Sequence, residues 1–177
     1  MGKKKKKERY PITMGVRQLR EHDVEFTPKL YTYVEKGGTR VSSEELQVPE
    51  HNVVKTLIFE DQDGDPLVIL QHGDHEVAPG LLAKAIGQKS TKPCAPEVAQ
   101  KHSGYLVGGT SPFGLKTALP IYAEETIFDL DFICINAGKR GFLIELDPAE
   151  LDRVLQPVRV VVAQPDAPEE DSDHAGW

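Results

Sequence analysis

Eleven residues from Gly104 to Gly114 constrain the fold of this chain more than any other stretch. They contain four glycines, a proline and the adjacent hydroxyl residues Thr110 and Ser111, in a part of the chain that is otherwise apolar. Glycine weakens a strand because it leaves no side chain to pack, which excludes a plain strand here. Glycine does let backbone N–H groups approach a ligand and converge on one point. We predict a loop that forms one wall of a ligand site, with an irregular crossing loop as the alternative.

Lys55 is the second feature that does not fit a simple core. Side chains alternate along a strand, so Lys55 lies on the same face as three apolar residues, Val53, Leu57 and Phe59. A lysine on an apolar face is costly unless its ammonium reaches water or an anion. Two interpretations stay open: a snorkelling side chain near the start of the strand, or a fixed charge for a phosphate or carboxylate.

A second glycine turn, Asn136 to Gly141, holds Lys139 and Arg140 between two glycines. Most such turns only join two strands. The Gly104–Gly114 stretch has neither the P-loop spacing nor the dinucleotide fingerprint, both of which are strict. Two glycine turns together with Lys55 nevertheless favour a site for an anion or an acyl group.

Other candidate chemistry is weaker. The run from His72 to Glu76 contains potential metal ligands, but no helical or strand register points them at one ion, so a polar loop is favoured. Cys94 and Cys134 have no base partner in the sequence, which argues against a cysteine nucleophile. Ser111 lacks the Gly-x-Ser-x-Gly elbow of the α/β-hydrolases.

Length and charge limit the class of protein. A chain of 177 residues suits one domain, and no apolar run approaches the roughly 20 residues that cross a bilayer. A basic run (3–7) and an acidic run (166–173) predict flexible tails at 1–10 and 164–177 around a domain at 11–163. Without the tails, 15 basic and 22 acidic side chains remain, again a net charge of −7, which argues against a nucleic-acid-coating surface. The basic tail is equally compatible with RNA attraction and with a solubilising role. We expect a cytoplasmic protein that binds neither membrane nor DNA.

Periodicity and turn residues predict interleaved helices and strands. Strict βαβ alternation is absent, which favours a mixed α/β sheet. The predicted helices cover 11–23, 42–48, 79–86, 95–101 and 147–155. The predicted strands cover 26–34, 51–60, 66–71, 119–123, 131–136, 142–145 and 158–162.

Three segments carry a resemblance to a known family: Val54-Lys55-Thr56-Leu57, the Gly104–Gly114 stretch and Gly138-Lys139-Arg140-Gly141. They resemble motifs of the YbaK-type aminoacyl-tRNA deacylases, in the family's order and approximate spacing. These proteins are relatives of the editing domain inserted in bacterial prolyl-tRNA synthetases. The resemblance covers about residues 15–162, and the Tyr-Leu-Val-Gly-Gly-x-Ser-Pro run is most similar to the cysteinyl-tRNA(Pro) deacylase branch.

This resemblance implies a mixed, partly barrel-like β-sheet flanked by helices. It also implies hydrolytic clearance of mischarged tRNA without a metal or an organic cofactor. The implied partners are the acceptor end of a mischarged tRNA and prolyl-tRNA synthetase.

The resemblance also implies roles for individual residues. Lys55 would bind the phosphate near the terminal adenosine, and the backbone of Gly108 and Gly109 would line the acyl pocket and stabilise the oxyanion. The implied substrate-binding residues are Tyr33, Tyr105, Thr110, Ser111, Asn136, Gly138, Lys139 and Arg140.

The chain departs from this family at two positions. Asn136 replaces a serine before the glycine turn, and Leu143 replaces an aspartate. The role of that aspartate cannot be transferred, so the amino-acid specificity stays open. Three alternatives follow: a deacylase for another small amino acid, a non-catalytic module that binds tRNA or a synthetase, and a small-molecule anion binder.

Overall fold

Short apolar runs separated by turn residues fold into one mixed sheet in the computed structural model, which describes residues 9–164. The eight strands of this range are β1 (Thr27–Leu30), β2 (Val53–Asp61), β3 (Pro66–His72), β4 (Thr91–Pro93), β5 (Ile121–Glu124), β6 (Ile133–Lys139), β7 (Phe142–Leu146) and β8 (Val158–Val160). The helices are α1 (Met14–Glu21), α2 (Gly38–Leu46), α3 (Pro79–Ile86), α4 (Pro96–Ser103) and α5 (Ala149–Leu155). Two short 3₁₀ turns cover Glu50–Asn52 and Glu125–Asp129.

The strand order is β1-β7-β6-β2-β3-β5-β8, and β4 pairs with β2 outside this path. The hairpins β2–β3 and β6–β7 are antiparallel, whereas β2–β6, β3–β5 and β5–β8 are parallel. The mixed sheet flanked by helices that the sequence predicted is therefore confirmed.

The centre of the sheet is buried on both faces, as β3 shows. Val68 and Leu70 pack in the larger core cluster, to which α1 contributes Val16 and Leu19. Leu67 and Ile69 point to the other face and pack in a second cluster that contains Leu82 of α3. Alternation along one strand thus supplies two core layers.

Local sequence signals fix several element ends. The Asp61 carboxylate accepts the backbone N–H groups of Asp63 and Asp65 at 2.9 and 3.0 Å, which closes the β2–β3 hairpin. Thr13 caps α1 by accepting the Val16 N–H at 3.0 Å. Gly87 ends α3 in the left-handed conformation that favours glycine.

Two local predictions were wrong. The capping box at Ser42 does not exist, because α2 begins at Gly38 and Ser42 lies inside it, donating to the Thr39 carbonyl at 3.0 Å. The Glu45 carboxylate instead accepts the Thr32 N–H at 2.9 Å, a contact between segments that a local motif cannot reveal. Strand β4 was missed because it is only three residues long.

The predicted tails lie largely outside the described residues, which begin at Arg9 and end at Gln164. Their boundaries stay predictions. Within the described range, no helix is both long enough and apolar enough to span a bilayer.

Candidate functional site

Lys55 projects from β2 with only 18% of its side chain exposed, and its Nζ lies 3.2 Å from Oε1 of Glu76. Glu76 is 76% exposed, so this ion pair sits at the mouth of a depression. The ammonium therefore reaches an anion at the edge of the apolar surface. Because an exposed carboxylate can move away at small cost, Lys55 is available to another anion.

A cleft of about 1000 Å³ contains Lys55 and five other residues that the sequence singled out. Beside Lys55, the predicted residues in its lining are Tyr33, Gly108, Thr110, Asn136 and Arg140. A volume of this size accommodates a nucleotide-sized ligand. The Gly104–Gly114 stretch, the second glycine turn and Lys55 are far apart in the sequence, yet they line the same cleft.

Four more predicted residues surround a separate hollow of about 290 Å³, namely Tyr105, Gly109, Gly138 and Lys139. Arg140 lines both spaces. Ser111 lines neither: it is fully buried, and its hydroxyl accepts the Phe113 N–H at 3.1 Å. The predicted set is therefore divided between the cleft, the adjoining hollow and the core.

Tyr105 anchors the Gly104–Gly114 stretch through its hydroxyl group. Its hydroxyl donates to the Phe113 carbonyl at 2.5 Å, and the side chain is buried. Burial raises the pKa of Tyr105 to about 12, so the phenol stays protonated and keeps this bond. Tyr105 is positioned to support the loop rather than to exchange protons.

The glycines at 108 and 109 are required by close packing. At Gly108, φ is +91°, and a Cβ would lie 2.8 Å from the Tyr33 hydroxyl. At Gly109 a Cβ would lie 2.8 Å from the backbone nitrogen of Arg140. The Gly109 N–H donates to the Leu106 carbonyl at 2.8 Å, whereas the Gly108 N–H has no partner among the described residues. Of these two predicted oxyanion donors, Gly108 is the one available to a ligand.

Asn136 links the Gly104–Gly114 stretch to the second glycine turn, whose residues 136–139 belong to an irregular end of β6 rather than to the turn itself. Its Oδ1 accepts the N–H groups of Gly138 and Lys139 at 2.7 and 3.1 Å. Its Nδ2 donates to the carbonyls of Gly108 and Lys139 at 3.3 and 3.0 Å. All four bonding positions of the amide are used within the protein. Asn136 consequently acts on the site through the backbone that it positions.

Arg140 also connects the second glycine turn to the Gly104–Gly114 stretch. Its Nε donates to the Val107 carbonyl at 2.9 Å, and its guanidinium lies 5.0 Å from the centre of the Tyr33 ring. Cation–π contact and hydrogen bond together fix the guanidinium at the cleft wall. Its charge adds to that of Lys55 and favours an anionic ligand.

The chain belongs to the family of aminoacyl-tRNA editing domains. The family's sequence profile, described as "Aminoacyl-tRNA editing domain", matches residues 38–154, which include Lys55 and both glycine turns.

Two kinds of protein are among the relatives that this editing domain resembles. The chain is 31% identical over 149 residues to a protein of Enterococcus faecalis named "Putative Cys-tRNA(Pro)/Cys-tRNA(Cys) deacylase EbsC", covering 84% of this chain and 89% of that one. It is 29% identical over 97 residues to the proline–tRNA ligase of Levilactobacillus brevis, covering 55% of this chain and 17% of the ligase.

The fold matches solved structures as well. One, described as a "putative trans-editing enzyme for prolyl tRNA synthetase", superposes with a TM-score of 0.74 at 18% identity, covering 87% of this chain and 99% of that one. The YbaK-type fold is therefore present.

Within this editing domain, Leu143 presents an apolar side chain to the cleft. It is 4% exposed and packs with Val53 and Cys134. No carboxylate is available at this position, so the role of the aspartate found there in the deacylases that the chain resembles cannot be transferred to it.

The cysteines of the editing domain are poor nucleophiles. Burial raises the pKa of Cys94 to about 11, and the Glu60 carboxylate, 3.9 Å away, acts in the same direction. Burial likewise raises the pKa of Cys134 to about 11. Both thiols stay protonated at neutral pH, whereas a nucleophile would need the thiolate.

The sequence drew attention to the run from His72 to Glu76 but not to His51, which completes a histidine cluster beside the cleft, and His72 is the last residue of β3 rather than part of a loop. The rings of His51 and His72 stack with centroids 3.8 Å apart, and His51 Nδ1 lies 2.9 Å from Asp74. His72 donates from Nδ1 to the His51 carbonyl at 2.8 Å and accepts the Thr126 hydroxyl at Nε2 at 2.6 Å. His51, His72 and Asp74 are close enough to share an ion. However, both nitrogens of His72 are already used, which favours a structural role.

Proposed function

We propose that this chain is a trans-editing deacylase that removes the wrong amino acid from misacylated tRNA, with cysteinyl-tRNA(Pro) as the principal substrate. The observation that carries the proposal is the single cleft in which Lys55, Tyr33 and Gly108 meet. The similarity to the protein named as a Cys-tRNA(Pro)/Cys-tRNA(Cys) deacylase supports the substrate class.

The need for such an enzyme follows from substrate size. Cysteine and proline are of similar size, and one-group differences in an apolar pocket give only roughly 10- to 200-fold discrimination. A second site that destroys the mischarged product corrects the error. Aminoacyl esters are already activated, so a site with few acid–base groups suffices.

Individual groups of the cleft have distinct parts in this mechanism. Lys55 anchors a phosphate near the terminal adenosine in place of Glu76. The free Gly108 N–H donates to the oxygen of the ester carbonyl as negative charge develops there. Asn136 and Arg140 hold the two glycine turns against each other, which keeps this donor in place without reorganisation.

The nucleophile comes from the substrate. The cysteinyl thiol attacks its own ester carbonyl, so that a C–S bond forms while the ester C–O bond breaks and the proton passes to the ribose oxygen. A cyclic thiolactone and free tRNA result, formally a lyase reaction, and high effective concentration favours the step. A substrate without a thiol requires a water molecule or the neighbouring ribose hydroxyl, and the reaction is then a hydrolysis.

A deacylation assay with a panel of mischarged tRNAs tests this function. Lys55→Ala is expected to reduce cleavage strongly, while Lys84→Ala, which removes an exposed lysine of α3, leaves it unchanged. Mass analysis of the released amino acid separates thiolactone from hydrolysis product. Failure to cleave any member of the panel, or full activity of Lys55→Ala, would refute the proposal.

A non-catalytic module of the same fold is the second candidate, and the apolar Leu143 in the cleft favours it. It predicts binding of tRNA or prolyl-tRNA synthetase without turnover. For either candidate we expect the cytoplasm as the location, since tRNA charging takes place there.

A further inference from the structure

Strand β2 has an open edge inside the cleft. On the side away from β3, its ladder to β6 pairs only Val53 and Val54. Its ladder to β4 begins at Phe59. Residues 55–58 lie between these attachments, and all of them line the cleft.

The direction of the backbone groups follows from two hydrogen bonds. The Val53 carbonyl accepts the Gly73 N–H at 2.6 Å on the β3 side. The Ile58 carbonyl accepts the Cys94 N–H at 3.0 Å on the opposite side. Backbone groups alternate along a strand, so the N–H and C=O of Thr56 point the same way as those of Ile58. Neither has a partner among the described residues.

The side chain of Thr56 is unpartnered as well. Its Oγ1 is a buried side-chain polar atom that makes no hydrogen bond within the described residues. A buried polar group without a partner is costly, which makes such groups rare in folded proteins. The backbone of Thr56 therefore offers the cleft one donor and one acceptor, while its hydroxyl is sealed from solvent on the face of β2 that carries Val54 and Ile58.

We propose that the open edge at Thr56 binds the α-aminoacyl group of the substrate, an inference that rests on the proposed function. An extended amino acid presents its amine and its carbonyl as a strand residue does. The α-ammonium donates to the Thr56 carbonyl, and the Thr56 N–H donates to the ester carbonyl. This is the two-bond exchange of an antiparallel residue pair.

The length of the gap selects this occupant over a peptide strand. Peptides that add to a sheet edge use several consecutive residues. Here β6 and β4 close both ends, which leaves room at Thr56 for one residue. Lys55 adjoins Thr56, so one short segment addresses both the phosphate and the acyl end of a terminal nucleotide.

Binding of a non-hydrolysable analogue tests the inference separately from catalysis. The probe is 3′-cysteinylamino-3′-deoxyadenosine 5′-phosphate, and its partner carries an α-hydroxyl in place of the α-amine. Loss of a bond to a charged group predicts that the wild type binds the amine form roughly 10- to 100-fold more tightly. Lys55→Ala is expected to weaken both probes and leave this ratio unchanged.

Variants of Thr56 complete the design. Thr56→Pro is expected to weaken both probes several-fold, because it removes the N–H donor at a strand edge where this group has no ladder partner. Thr56→Val keeps the N–H and retains binding, while its melting temperature rises because an unsatisfied buried hydroxyl is removed. Equal affinity of the wild type for the two probes, or unchanged binding by Thr56→Pro, would overturn the inference even if deacylation is observed. Discriminating binding without turnover of any aminoacyl-tRNA would instead refute the proposed function alone.

Discussion

At the scale of single residues, the pairing of Lys55 with Glu76 governs access to the site. The ammonium is mostly buried, whereas the carboxylate is largely in water. Because the carboxylate lies in water, this pair is nearer to an exposed ion pair, which contributes only about 0–1 kcal/mol, than to a buried one. Glu76 therefore satisfies the charge of Lys55 in the free protein, and in the proposed mechanism it yields to a phosphate at little cost.

This competition makes Glu76→Gln an informative variant. Neutralising the carboxylate removes a competitor of the substrate phosphate, so KM is expected to fall by about two- to fivefold with little change in kcat. Glu150→Gln is the matched control, because it removes the same charge from an ion pair with Arg153 on α5. An equal decrease of KM in both variants would assign the effect to net charge. A higher KM in Glu76→Gln would contradict the competition.

Gly109 and Gly80 provide a matched pair for the role of close packing. A methyl group at Gly109 would meet the backbone of the second glycine turn. At Gly80, no atom of another part of the described chain lies within 4 Å of an added Cβ. We expect Gly109→Ala to lower the free energy of unfolding by about 1–3 kcal/mol through overpacking. In helix α3, Gly80→Ala is expected to be neutral or stabilising by up to about 1 kcal/mol. Urea denaturation measures both, and equal stabilities would show that the turns do not require this contact.

At the scale of elements, periodicity alone predicted the centre of the sheet. The alternating run of β2, the apolar run of β3 and the helix that ends before Gly87 are local patterns, and all three were confirmed. Lys55 could be recognised because it breaks the alternation. Such anomalies stand out from the sequence since burial is costly for them.

Contacts between distant segments could not be predicted in this way. The hydrogen bond from Asn136 to the Gly108 carbonyl joins residues 28 positions apart, and the local sequence around neither residue predicts it. The open edge at Thr56 depends on where β6 and β4 stop pairing. The approach of His51 to His72 likewise arises from the 3₁₀ turn that precedes β2.

The histidine cluster at the end of β3 predicts a pH dependence of stability. Burial lowers the pKa of His72, so the folded protein keeps this ring neutral, with His51, His75 and Asp74 around it. In the unfolded chain the pKa returns to about 6.5. Below that pH the unfolded state binds a proton that the folded state does not, and stability decreases.

Melting temperatures between pH 8 and pH 5 test this expectation. The wild type is expected to lose stability below about pH 6.5 more steeply than His72→Gln, in which this proton uptake is absent. The comparison of slopes, not of absolute stabilities, carries the test, since the variant also changes two hydrogen bonds. Parallel curves would show that His72 does not contribute.

At the scale of the whole molecule, charge limits how this protein finds its substrate. The net charge is −7, and four cations line the described cleft: Lys36, Arg40, Lys55 and Arg140. Arg40 is paired with Glu44, and Lys55 and Arg140 are the cations that we propose to bind phosphate. Affinity for RNA depends on the number of phosphates neutralised. We therefore propose that the site recognises an acceptor end without holding the body of the tRNA.

We accordingly expect weak binding to free tRNA and a gain from prolyl-tRNA synthetase, which would present the acceptor end. With about two to three phosphate contacts, the logarithm of the binding constant is expected to fall with log salt by roughly 1.4–2.1, as for single strands. Titrations at several salt concentrations measure this slope, and deacylation rates with and without synthetase measure the gain.

The same titration on residues 11–177 determines whether the basic run at 3–7 adds contacts, since its loss would then lower the slope. Tight binding to free tRNA with a slope of about 5 or more would mean that a larger cationic surface holds the substrate, and the requirement for a presenting synthetase would fall with it.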